Sequence, residues 1–269
     1  MFSRSKLYPH CGSRFVPRTK VALCTLAFIL ASSLNLAAQS TSSYPTRPVR
    51  IFVPFGAGGV GDITMRLLAQ KLSELTSKQF IIENRPGAGG SLSAKAVLES
   101  PADGHALAVT GNGSAISATL FKSHPYDVLK DFTQVSVTGQ FEMLLAVKDG
   151  AQYKTLRDVE AAARNNPGKL NLGAINPGST QNLSAHLFKQ ITGIDVAIVP
   201  YRTTPDLVTA ILRGDVDVGF DFYAGFQSAI SDNKIHIIAT SGEELNPLLK
   251  DVPTAKESGY PNYIVTSWN

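Results

Sequence analysis

The chain has 269 residues, 43% of them hydrophobic and 17% charged, which fits a globular protein of one or two domains with well-buried strands. Its formal charge is +4, yet residues 1–38 hold five bases and no acid, so the remainder is net acidic by one and nothing argues for a nucleic-acid partner. Both cysteines, Cys11 and Cys24, fall in that same stretch, leaving the rest without a disulfide, a thiol nucleophile or a cysteine metal site.

Residues 1–20 carry Arg4, Lys6, Arg14, Arg18 and Lys20, residues 21–36 are mostly apolar, and Leu36-Ala37-Ala38 offers small residues before Gln39. Basic, apolar and small-residue regions in that order read as a secretory signal peptide over 1–38. The alternative is an uncleaved membrane anchor, since the apolar stretch is near the lower limit for spanning, roughly 17 residues.

Tyr44-Pro45-Thr46-Arg47-Pro48 is an extended lead-in. Residues 49–55 are an apolar strand that opens into Gly56-Ala57-Gly58-Gly59-Val60-Gly61. Asp62 then starts a helical pattern with Leu67, Leu68, Leu72 and Leu75, and is expected to cap it. A second strand over 79–83 runs into the turn Asn84-Arg85-Pro86-Gly87-Ala88-Gly89-Gly90-Ser91 and a short helix. A third strand over 106–110 ends in Gly111-Asn112-Gly113-Ser114. Repeated strand–loop–helix units predict a mostly parallel α/β sheet. The pattern then restarts. Strands are predicted over 143–147, 170–173, 196–200, 216–220 and 235–240, with helices over 156–165, after Thr180 and over 206–213. This predicts a first lobe over 44–139, rejoined by 264–269, and a second over 140–263, linked near Gly139 and Gln140 by extended hinge strands. Residues 263–269 read as a strand that stops abruptly, as if the chain were incomplete there.

Gly56 to Gly61 matches the dinucleotide pattern G-x-G-x-x-G after a strand, and Glu83 lies 22 residues past Gly61, where a ribose-binding acid belongs. Against a nicotinamide-dependent oxidoreductase stand Asp62 at the helix entrance, Pro54 in the strand, and the export signal. A nucleotide-hydrolase phosphate loop is excluded because Asp62-Ile63 replaces the required Lys-Ser/Thr, and no G-x-S-x-G elbow occurs. His10, His105, His124, His186 and His236 lie singly, without metal-ligand spacing, and Asp215 and Asp217 read as solvated strand ends. Uncharged glycine- or serine-rich loops at helix N-termini remain, at 56–62, 87–91 and 174–180, with Arg202 the one obvious cation. Glycines alone permit tight turns, but three matched loops at strand carboxyl ends suit a small carboxylate.

These residues resemble the substrate-binding proteins of tripartite tricarboxylate transporters, the Bug family. The resemblance rests on Val53-Pro54-Phe55 with Gly58-Gly59 and Asp62, Glu83 through Gly90, Pro101-Ala102-Asp103-Gly104, Gly178-Ser179, Val199-Pro200-Tyr201, Asp251-Val252-Pro253-Thr254 and Ser267-Trp268. It implies a periplasmic protein with the two-lobed, type II Venus-flytrap architecture, each lobe a mostly parallel sheet flanked by helices. It also implies a monomer that captures a small organic acid for membrane transporter subunits, without cofactor, metal or catalysis. An exported sensor for a membrane kinase would use the same trap. Carried over, the ligand site comprises Phe55, Gly58, Gly59, Asp62, Ala88, Gly89 and Ser91 from the first lobe, and Gly178, Ser179, Thr180, Tyr201 and Asp221 from the second. A larger residue at Gly59 is expected to block binding while leaving a folded protein. Two positions depart from the family pattern: Tyr201-Arg202-Thr203 stands for Tyr-Lys-Gly, and Asn182 for a common His. The family also continues past the tryptophan with a segment closing the first lobe.

Overall fold

Alternation of apolar residues with Arg50 gives Val49–Val53 (β1) one exposed position among buried ones, and this strand is the centre of the first sheet. In the computed structural model, which describes residues 44–122 and 125–269, β1 is flanked in parallel by Phe80–Asn84 (β2) and Ala106–Ala108 (β3). The leader expected over 1–38, with His10, and also His124, lie outside the described residues. Ile51 sits between Ile82 and Leu107 in register. Val60–Thr76 (α1) lays Met65 and Ala69, one turn apart, onto Ile51 and Val53, and it ends where Ser77 turns left-handed at φ 55°. Ser91–Leu98 (α2) and Asn112–Leu120 (α3) complete this half.

From Arg47 to Asn269 the chain is one compact unit. Its larger sheet is built from Leu144–Lys148 (β5), Asn171–Ile175 (β6), Ala197–Tyr201 (β7), Val218–Asp221 (β8) and Ile235–Thr240 (β9), in the order β7-β6-β8-β5-β9. Four of these strands run the same way; β5 runs against both neighbours. Alternate residues of β5 feed opposite cores. Leu145 and Val147 join Leu156, Val159 and Phe188 on one face, and Leu144 and Ala146 join Leu207, Ile211 and Phe226 on the other. The covering helices are Leu156–Asn165 (α4) and Thr180–Thr192 (α5) on the first face, and Thr204–Arg213 (α6) and Tyr223–Ser231 (α7) on the second.

Local sequence explains where these helices begin. Thr155 and Asp158 form a reciprocal capping box at α4, the Ser179 hydroxyl accepts the Asn182 N–H at α5, and Thr203 with Pro205 starts α6. Gln140–Glu142 (β4) pairs antiparallel with Thr266–Trp268 (β10), which places Ser267 opposite Phe141. The expected strand over 263–269 is therefore shorter. Helices α3 and α7 are elements that periodicity does not reveal.

Candidate functional site

The loop after β1, the N-terminus of α3, and the loops after β6 and β7 enclose a cleft with two connected compartments. The larger holds about 290 Å³ and the smaller about 30 Å³. Phe55, Gly56, Gly113, Ile175 and Arg202 line both. The larger compartment is walled by Pro54, Pro86, Phe121 and Pro177, a mainly apolar surface; the smaller sets the polar side chains Asn112, Thr180, Gln181, Thr204 and Ser267 among Phe141, Ile175 and Phe222. Among the described lining residues Arg202 is the one charged side chain, and none has an acidic side chain.

Backbone donors supply the rest of the electrostatics. Helix α1 is capped by Gly59 and α3 by Gly111, neither of which has a side chain to satisfy the first-turn N–H groups. Gly59, Val60 and Gly61 at one helix entrance and Asn112 and Gly113 at the other border the smaller compartment. Unsatisfied N–H groups at the positive ends of two helices, beside a guanidinium, favour an anion there. Helix α5 differs, because its Ser179 hydroxyl accepts from Asn182 at 3.1 Å and donates to the Ile175 carbonyl at 3.2 Å.

The expected site residues fall into two groups. Phe55, Gly59, Gly89, Gly178, Ser179 and Thr180 line the cleft. Gly58, Asp62, Ser91, Tyr201 and Asp221 stand behind it. Ala88 belongs to the short 3-10 turn Ala88–Gly90 at its edge. Asp62, buried at 3% exposure, points back into its own loop. Its carboxylate accepts from the Gly58 N–H and Asn84 Nδ2, each at 2.9 Å, and from Arg66 Nε at 3.0 Å. Burial pushes this carboxyl up, but the Arg66, Gly58 and Asn84 bonds outweigh it and hold the group below the usual carboxylate range. Gly59 is the N-cap; Asp62 ties the segment preceding it. Ser91 begins α2, and Tyr201 packs on the core of the α6–α7 face.

Asp221 is fully buried at the end of β8. Gln181 Nε2, Thr204 Oγ1 and the Phe222 N–H donate to it at 3.0, 2.5 and 2.8 Å. Burial raises its pKa, against the pull of those three bonds. All three donors border the smaller compartment. They are the functional candidates that sequence reading misses, along with Asn112, whose side chain donates to the Thr266 carbonyl at 2.9 Å and accepts from the Trp268 N–H at 3.1 Å. A polar residue one or two positions past an N-cap is the available signal for Thr204 and Gln181.

Steric constraint also moves. A Cβ on Gly59 would make ordinary contacts, at 3.4 Å to the Gly56 carbonyl and 3.5 Å to Thr204 Oγ1. One on Gly56 would lie 2.5 Å from Thr203 Cγ2. The closest approach of the loops after β1 and β7 is at Gly56. Gly61 is required because the Phe55 ring lies on it, 2.5 Å from where a Cβ would stand.

The apparent dinucleotide fingerprint has a local explanation. Glu83 accepts from Arg50 at 2.5 and 2.9 Å and from Arg85 at 3.2 Å, so the acid in the ribose position is engaged by two guanidiniums. Asp62 fills the helix entrance behind the glycines. Among the described residues no cluster of three metal-ligating side chains occurs, and no helix is long and apolar enough to cross a membrane.

Residues 64–269 match the model of a family described as the tripartite tricarboxylate transporter family receptor. A UPF0065 protein encoded in the TAR-I ttuE-ttuC' intergenic region of Agrobacterium vitis is 30% identical over 261 residues, 95% of this chain and 75% of that protein. Among solved structures, Rpa4515 of R. palustris with adipate superposes at a TM-score of 0.79 with 33% identity, covering 84% of this chain and 76% of that one. MatC from Rhodopseudomonas palustris with bound malate gives 0.76 and 30%, covering 84% and 77%.

Proposed function

The chain belongs to the tripartite tricarboxylate transporter receptor family, and from that premise we propose that it is a periplasmic solute-binding protein that captures a small organic acid and delivers it to membrane transporter subunits. One observation carries the ligand class: two helix N-termini without side-chain caps and the Arg202 guanidinium border a cleft whose described lining holds no acidic side chain. A ligand carboxylate takes the first-turn N–H groups of α1 and α3, and its hydrocarbon part occupies the larger, apolar compartment. The volume suits a molecule of a few carbons, near the lower end of the roughly 300–1,000 Å³ of small-molecule pockets. Similar proteins with adipate and with malate agree with that size.

In this reading the two sheets belong to two lobes, 44–139 with 264–269 and 140–263, and the paired strands β4 and β10 are the hinge. Closure brings Gly56 against Thr203 and Gly178 against Phe121, and excludes water from the N–H groups that hold the anion. Water exclusion strengthens those bonds because nothing competes for them in a low dielectric. No step of this cycle breaks a covalent bond.

The test is a thermal-shift screen of mono-, di- and tricarboxylates, with NADH alongside. An acid at a hundred times its dissociation constant stabilises by ~2.7 kcal/mol, a readily visible shift. Stabilisation by carboxylates and none by NADH is expected; stabilisation by NADH alone would overturn the proposal.

A further inference from the structure

Asp221 is a buried carboxyl group with no cation beside it. Its exposure is 0%, and its three hydrogen-bond donors are an amide, a hydroxyl and a backbone N–H. Buried carboxylates without a cationic partner are costly, so the position asks for a purpose. What it does locally is fix the polarity of the wall in front of it. Thr204 has one hydroxyl proton and donates it to Asp221 Oδ2, which leaves its oxygen an acceptor toward the cleft. Gln181 turns Nε2 to Asp221 Oδ1 and leaves Oε1 without a donor among the described residues. Both side chains are buried, at 3% and 6% exposure, and both line the smaller compartment.

The facing wall has the opposite character. Val60 and Gly61 begin α1 there with first-turn N–H groups, and the two walls adjoin: a Cβ on Gly59 would sit 3.5 Å from Thr204 Oγ1. A ligand with its carboxylate on the N–H wall therefore places its neighbouring carbon beside two acceptors held by Asp221. A plain methylene there leaves the acceptors unpaired, and a second carboxylate is repelled.

We propose that the acid taken by this cleft carries an ammonium or hydroxyl group on the carbon next to its carboxylate, and that Gln181 and Thr204, held by Asp221, read that group. Asp221 acts here as a positioning residue. The inference rests on the carboxylate reading above.

Isothermal titration with matched trios tests it: succinate, malate and aspartate; glutarate, 2-hydroxyglutarate and glutamate; adipate, 2-hydroxyadipate and 2-aminoadipate. In at least one trio a substituted acid should bind ten times or more tighter than its parent, and no parent should bind best. Asp221→Asn keeps the shape but turns an NH₂ toward Thr204, whose proton then points into the cleft, so the preference should shrink to within threefold. Thr204→Val, which removes that acceptor, should reduce it likewise. Parent acids binding as tightly as their substituted partners would overturn this inference while sustaining the carboxylate reading. An undiminished preference in either variant would overturn the assignment to this wall. Absence of binding by every acid would overturn both.

Discussion

Removing the Asp62 carboxylate is the sharpest test of how the first loop is built. As a helix cap alone, Asp62→Ala would cost roughly 1 kcal/mol. The structure sets a larger figure, because this carboxylate is 3% exposed and serves three residues. Arg66, about half exposed, turns to water when its partner is lost and contributes little. The Gly58 N–H and one N–H of Asn84 lose their acceptor in a partly buried site, at about 1–3 kcal/mol each. The expected loss is about 2–6 kcal/mol, which lowers the urea midpoint by roughly 1–2 M if the m-value is near ~3 kcal/mol/M. The sign with pH follows from the lowered pKa: the contribution is present above the ordinary carboxylate range and disappears as pH falls through the folded-state value. Wild type and variant should therefore converge in acid. A loss below about 1 kcal/mol at neutral pH, or one that does not shrink in acid, would refute the reasoning.

Three further outcomes follow from the geometry. Gly56→Val should leave a folded protein whose thermal midpoint moves little, yet weaken carboxylate binding at least tenfold by titration calorimetry, since its side chain would collide with Thr203; unchanged affinity would remove Gly56 from the closing contact. Phe188→Ala should cost about 3–5 kcal/mol in urea unfolding, because the ring is fully buried against Phe220, Tyr260 and Tyr263 at centroid distances of 6.0, 5.9 and 5.7 Å. Asp221→Asn should leave the ligand-free protein as stable as wild type or more so at neutral pH. Its raised pKa means the folded state favours the neutral form, so ionisation destabilises it as pH rises through the folded-state value. Scanning fluorimetry from pH about 4 to about 8 should show the variant's advantage growing with pH, and a variant less stable at neutral pH would contradict this.

What sequence makes legible here is whatever is local. The apolar runs of β1, β6 and β9 announce their elements directly, whereas Thr203 as a cap moves the start of α6 to Thr204, ahead of the expected residue 206. Helix α3 hides because its first turn is Asn-Gly-Ser, residues of low helix propensity that read as a loop, and because its contacts are with the turn Ala88–Gly90 and with α5. The cleft is legible in part. Its glycine loops sit at predicted strand ends, but the orientation of Asp62 depends on Asn84, 22 positions on, and the wall of Gln181 and Thr204 depends on Asp221, 40 and 17 positions away. Such pairings are set by the sheet order and leave no periodic trace. The fingerprint at 56–61 with Glu83 shows the converse, a local pattern whose meaning is decided by Arg50 on the adjacent strand.

The central claim is that ligand carboxylate meets the first-turn N–H groups of α1 and α3. Amide chemical shifts of ¹⁵N-labelled protein, followed while the most stabilising acid from the carboxylate screen is titrated in, report on those groups one by one. The N–H resonances of Val60, Gly61, Asn112 and Gly113 should move together and saturate with a single dissociation constant. Saturable binding that leaves all four unmoved would contradict the account.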